Sequence, residues 1–327
     1  MRRVWTVTVA IGIVLLAGAV TNGAVWNVPE DFTTIQEAID SATVLDGDRI
    51  MVGPGNHAGA VVTKAVEIKG DTGASINTGP LLTTYKPCGT ITLDTGFFFT
   101  GAGAGSGATI SHLSFDNVAF PVFSRGADDV TVSQCKMANP IQGVTNWGGS
   151  RWKISHNLII DLRSANGGGI GIIVAERFGG VVEDNVISHN KISGTLHVAS
   201  CDGGGYAGTG IVLYADFRSG RLGATAIQYN RVVKNKISLK SDNPEVVDVG
   251  AFELTEHGTV AAGWPPDPPD PPTIVNNTIG FNDFRGTDIQ ISLSPEELDT
   301  VNTIDRNLGN NRGHGLTPAS LFAPGGK

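Results

Sequence analysis

Arg177, Asp216 and Glu256 close three glycine-led segments that resemble one another. The segments are Gly169–Phe178, Gly208–Arg218 and Gly250–His257, and Gly286–Leu293 follows in the same style. Aligned, they place Arg177, Asp216 and Glu256 in one column, with Glu176, Arg218 and His257 as sequence neighbours. If each segment is a strand stacked on the next, these groups lie about 5 Å apart, and about 10 Å across two steps. Asp216 and Glu256 would then approach the roughly 5 Å carboxyl separation of a retaining glycoside hydrolase. A lyase acting on a uronic-acid polymer needs a base at C5 and a cation beside the sugar carboxylate. Arg218, Arg177 or Lys236 could supply the cation, with Asp216 and Glu256 holding Ca²⁺ through oxygen ligands. Tyr214 and Trp264 offer aromatic faces to a sugar, and Glu176 offers a polar contact. The bland alternative is a solvated ladder of Arg, Asp and Glu in which each pair contributes little.

The elements that would position this column repeat along the chain. Ile110–Phe115, Val132–Met137 and Ile154–Ile159 align without gaps every 22 residues. The pattern continues at Val182–Ile187, Ile227–Val232, Ile274–Ile279 and, more weakly, Ile304–Leu308, at spacings of 28, 45, 47 and 30. A minimal coil with loops of varied length explains this. Each coil points alternate apolar side chains inward and cannot bury them alone, so coils must stack. The recurring Asn tolerates left-handed backbone angles and can bond to the Asn of the next coil. The column Asn157, Asn185, Asn230, Asn277, extended by Asn307, is therefore read as structural.

These repeats resemble the right-handed parallel β-helix of the pectin-lyase-like superfamily, over roughly residues 26–312. Val28–Ile39, Gly47–His57 and Val66–Gly70 resemble the opening segment of such proteins. The resemblance implies an all-β fold, a single-chain right-handed parallel β-helix (solenoid), and a carbohydrate-related role. It does not choose among lyases, hydrolases, esterases and adhesins. The Asp cluster with Arg or Lys of pectate lyases is missing, as are the paired-Asp motifs of polygalacturonases and pectin methylesterases. A capping box at Thr34-x-x-Glu37 and a stripe of Ile35, Ala38, Ile39 and Ala42 predict a short helix over Thr34–Ala42 that plugs the amino-terminal end. Trp264–Pro272 cannot join a sheet ladder and predicts an extended loop. Thr195–Ala207 and Ser238–Val246 read as insertions able to wall a cleft beside the charged column. Asn310–Gly315 reads as a closing turn, and His112 and His156 as corner residues rather than a metal pair.

Arg2, Arg3, an apolar run over Val7–Val20 and small residues before Val25 predict a signal peptide over residues 1–24 and a single domain over 25–327. Losing Arg2 and Arg3 and no acid moves the net charge from −8 to −10. That disfavours nucleic acid as a partner, and an anionic glycan would need a local basic cluster or a bridging cation. No other segment is long enough to span a membrane. Cys88, Cys135 and Cys201 match no metal motif and read as small buried residues. The expectation is a monomeric, secreted, periplasmic or cell-surface protein that meets a polysaccharide or another extracellular glycan. It either cleaves that glycan or, as the alternative, acts as a non-catalytic binding, adhesive or envelope β-helix.

Overall fold

The computed structural model describes residues 23–85, 91–164, 169–177, 179–199, 206–217, 225–245, 247–257 and 272–314. They form a right-handed parallel β-helix. Sheet A has ten strands, from Val25–Val28 to Thr303–Asp305, and sheet B has seven, from Gly55–Ala58 to Lys236–Ser241. Sheet C runs from Ala60–Val61 to Arg312–His314. One coil reads Lys153–Ser155 in sheet A, Leu158–Arg163 in sheet B and Ile170–Glu176 in sheet C. From that coil on, a strand of two or three residues is added between sheets C and A: Val181–Glu183, then Ala226–Gln228, then Ile274–Val275. One excursion is antiparallel, where Leu81–Tyr85 pairs with Ile91–Phe99. Arg312–His314, expected as a closing turn, is a further strand of sheet C paired with Ile289–Ser294.

The coils stack because period-2 alternation sends one apolar column inward from each sheet. On sheet A this column is Ile50, Ile68, Ile110, Val132, Ile154, Ile187, Val232 and Ile279, all without solvent exposure. Each such side chain contributes about 1.5–3 kcal/mol through burial. Phe115, Met137, Ile159, Ile192 and Ile237 do the same from sheet B. The amino-terminal helix runs Ile35–Asp40, shorter than expected. Thr34 accepts from the Glu37 N–H at 3.1 Å, and the Glu37 carboxylate accepts from the Thr33 N–H at 3.0 Å. Ile35, Ala38 and Ile39 close the core, but Ala42 lies beyond the helix and is exposed; Val44 is buried in its place. The Gln36 amide accepts from the Val61 N–H at 2.7 Å and donates to the Val61 carbonyl at 3.4 Å, covering an end strand of sheet C.

The asparagines form two ladders rather than the one expected. Asn157, Asn190, Asn235, Asn282 and Asn307 stack at the corner between sheets A and B. Asn185, Asn230, Asn277 and Asn302 stack at the corner entering sheet A. In each, the upper Asn Oδ1 accepts both the backbone N–H and the side-chain amide of the Asn below, as at Asn190–Asn235, both 3.0 Å. The same amide reaches back a coil, as from Asn190 to the Ile154 carbonyl at 2.9 Å. The residue before each ladder Asn at the A/B corner is left-handed, for example His156, His189, Lys234 and Phe281 at φ 57, 56, 59 and 58°. Coil spacings along this ladder are 33, 45, 47 and 25 residues. The expected spacings of 28 and 30 arose from matching one corner with the other.

Candidate functional site

Sheet C carries the residues expected to do chemistry, and its register corrects their grouping. Asp216 lies opposite His257, whereas Glu256 lies opposite Ala215, which lies opposite Glu176. The expected column of Arg177, Asp216 and Glu256 is therefore one residue out of step at Glu256. A one-residue slip turns a side chain to the other face of a sheet. Ile211, Leu213 and Ala215 belong to the solenoid core, so Glu176 and Glu256 project to the inner side at its corner. Val212 and Tyr214 belong to a second apolar cluster on the outer face, and Asp216 follows them there.

Glu256 is an internal anchor. Its Oε1 accepts from the backbone N–H groups of Thr273 and Ile274 at 2.6 and 2.8 Å and from the Thr273 hydroxyl at 3.0 Å. These contacts hold the start of the strand Ile274–Val275. Glu176 occupies the matching place two strands earlier, against Gly148 and Gly180, and is also buried. Asp216 is 1% exposed, and Arg177 Nε lies 3.8 Å from its carboxylate. Tyr214 is closed to solvent and meets Trp147 edge to face at 5.9 Å, so it offers no face to a sugar. Asp216 and Glu256 do not fit a shared Ca²⁺, because the pleat turns them to opposite faces. Among the described residues no three His, Cys, Asp or Glu side chains converge as metal ligands. The expected solvated ladder is also corrected, since these carboxylates are buried.

Arg218 and Trp264 lie outside the described residues, as do Cys88, Cys201, residues 1–22 and the proline-rich segment up to Pro271. His257 ends the strand Val247–His257. The insertions expected at Thr195–Ala207 and Ser238–Val246 are in part strand. Lys191–His197, Tyr206–Asp216 and Lys236–Ser241 run into them, and Tyr206–Asp216 pairs with Val247–His257 from Tyr206↔Val247 to Asp216↔His257. The glycines leading these strands serve coil contact. A Cβ on Gly171 or Gly210 would come within 2.5 or 2.6 Å of the next coil's carbonyl oxygen. Cys135 is a buried free thiol pushed up to about 12 by burial.

Sequence reasoning missed Glu253. It stands on the outer face of sheet C, opposite Val212 and Ser292, with no solvent exposure. The Thr209 hydroxyl donates to Oε2 at 2.8 Å, and the Thr255 hydroxyl bonds to Oε1. Burial raises its carboxyl to about 7, against the opposing pull of the two hydroxyls. The signal was available: a lone carboxylate inside the apolar run Ala251-Phe252-Glu253-Leu254, with Thr209 one coil away. Glu253 and Asp216 share the outer face on neighbouring strands. They are offset by four residues, about 13 Å along the sheet, which is wider than the carboxyl pairs of either glycosidase class. The outer face can thus hold a proton near neutrality, but it does not assemble the expected dyad.

No protein-family model matches the chain, and no curated protein does. Among solved structures, the catalytic domain of a GH87 alpha-1,3-glucanase in complex with nigerose is similar over 90% of this chain and 68% of that one. The identity is 12% and the TM-score 0.30. The tailspike protein of Acinetobacter baumannii bacteriophage Fri1, a capsular polysaccharide depolymerase, is similar over 84% of this chain and 58% of its own, at 10% identity and a TM-score of 0.21. The β-helix assignment stands on the chain's own parallel sheets and stacked corners.

Proposed function

We propose that this protein is an extracellular β-helix that binds a polysaccharide without cleaving it. One observation carries the non-catalytic half. The described carboxylates expected to act on substrate, Asp216 and Glu256, and Glu176, expected to bind it, are all buried, and Glu256 is committed to backbone donors. The glycan half rests on the resemblance of the repeats to the pectin-lyase-like superfamily. Its place is secreted, periplasmic or at the cell surface, and its working form is a monomer. The test is a panel of alginate, pectate, glycosaminoglycans and neutral glucans, assayed for binding and for cleavage with and without Ca²⁺. Binding without new reducing ends or a new double bond is expected. Turnover abolished by Glu256→Gln, in a variant that melts like the parent, would overturn the reading.

A further inference from the structure

The corner between sheets A and B is built from four stacked stretches: Thr131–Ala138, Lys153–Ile160, Val186–Ser193 and Arg231–Ser238. None of them contains Asp or Glu, in a chain of net charge −8. Their outward positions carry Lys136, His156, His189, Lys191, Lys234 and Lys236, all exposed. Lys136, Leu158, Lys191 and Lys236 occupy one register column of sheet B. His156 and His189 stack at the left-handed corner, ring centroids 4.9 Å apart and planes within 2°. Lys153 and Arg231 add cations on the sheet A side, where Lys153 also faces Asp129. Asp116 precedes this ridge by one coil. Asp283 follows it, 4.0 Å from Lys236 and held by Arg285 at 2.9 Å.

Lys191 and Lys236 are direct cross-strand neighbours, an arrangement that costs stability when nothing anionic lies over it. Exposed lysines relieve part of this by spreading into solvent, and Asp283 lies beside Lys236, yet the four stretches admit no carboxylate among their cations. Lys136 lies two coils before Lys191, across Leu158, and Lys191 and Lys236 are one coil apart, about 4.8 Å along the solenoid axis. That spacing is comparable with the rise of one sugar ring in an extended glycan. We propose that this ridge is a binding track for a linear polyanionic glycan, one carrying a carboxylate or sulfate on successive sugars and lying along the solenoid axis. The track is distinct from the outer face of sheet C and supplies a local basic cluster on an acidic chain. A ridge of charges confined to one corner and flanked by Asp116 and Asp283 suits a narrow strand better than a nucleic-acid duplex, whose phosphates spread across a wide face. The proposal rests on the glycan-binding reading and names its substrate class and surface.

The experiment measures binding of the full chain to alginate, pectate, chondroitin sulfate, dextran and duplex DNA at two salt concentrations. The expected result is salt-sensitive binding to the anionic glycans and none to dextran. Lys191→Gln/Lys236→Gln should weaken that binding by about tenfold and flatten its salt dependence. Lys191→Arg/Lys236→Arg should keep it, and Lys69→Gln, on an earlier coil of sheet A, should leave it unchanged. Circular dichroism and the melting midpoint verify that each variant is folded. Equal binding by the Gln double variant would overturn the track, as would a preference for DNA. Binding to dextran alone would remove the track and leave the glycan-binding reading standing. Binding to no glycan would remove both.

Discussion

The two halves of the solenoid solve the same corner problem differently. At the A/B corner the early coils place Leu113 and Cys135 where the later coils place Asn157, Asn190, Asn235, Asn282 and Asn307. At the corner entering sheet A, Ala108, Val130 and Trp152 precede Asn185, Asn230, Asn277 and Asn302. From Ile110 on, the change coincides with a lengthening of the coils: steps of 22 residues up to Ile154 give way to 33, 45 and 47 along the ladder before a last step of 25. The earlier 42-residue step from Ile68 to Ile110 is braced instead by the antiparallel pair Leu81–Tyr85 and Ile91–Phe99. A short coil finds its neighbour through local contacts, and apolar filling is enough. A long coil must recover register after a wide loop, and a directional amide bond specifies a position that an apolar contact leaves loose. Where the halves meet, the first Asn of each ladder serves the apolar coil below it. Asn157 accepts from the Cys135 N–H at 3.0 Å, and Asn185 from the Trp152 N–H at 2.9 Å.

This comparison can be broken by substitution. The largest expected effect is at mid-ladder. Asn235→Leu strands the Asn190 backbone N–H and one N–H of its side-chain amide and removes the donor to the Ile187 carbonyl. It should cost about 3–5 kcal/mol in denaturant unfolding. A loss below about 1 kcal/mol would mean that the amides do not define the later coils. Next comes Glu253. Its folded carboxyl holds a proton up to about pH 7, whereas an ordinary one releases it near 4.5. The folded state therefore binds more protons between those values, and stability should fall as pH rises through them, by up to about 3 kcal/mol. Glu253→Gln should flatten that slope, as read from melting midpoints across the window. Asp48 has the opposite sign. Donation from Leu45, Trp26 and Ala24 holds its carboxyl below the usual range, so its contribution disappears as acid protonates it.

Smaller effects sharpen the same contrast. Cys135→Ala should cost about 1–2 kcal/mol, the size of a modest core truncation. Cys135→Asn should be nearly neutral, within about 1 kcal/mol, because the Asn157 oxygen already faces that position. A large loss there would show that the early corner is too tight for an amide. Smallest of all is Arg151, whose exposed pairs with Asp128 and Asp129 should leave the melting midpoint of Arg151→Ala unchanged.

The fold was legible because the left-handed residue followed by Asn is a local motif with a mechanical cause. The register was less legible because the later coils use that motif twice. Asp184-Asn185 and His189-Asn190 sit at different corners five residues apart. The tetrapeptide Ile-Ser-His-Asn, identical at Ile154–Asn157 and Ile187–Asn190, marks the true partner. The site suffered from a related ambiguity. Glycine-led strands with varied lead-ins left Glu256 one step out, and one step reverses its side of the sheet. Glu253 escaped notice because Thr209 meets it only through register, although Thr255 lies two residues away on the same strand. The basic corner went unread for the same reason: Lys136, Lys191 and Lys236 are far apart in sequence and share a column only once the coils are aligned.

A mid-ladder amide touches the coil before it and the coil after it, as Asn190 does with Ile154 and Asn235. In a linear array of units, such bridging ties a coil to both of its neighbours through one side chain. The amide half should therefore melt as one block, with a sharper transition than a stack joined only pairwise. A boundary between order and disorder would come to rest most easily near Trp152 and Cys135, where the bridging begins.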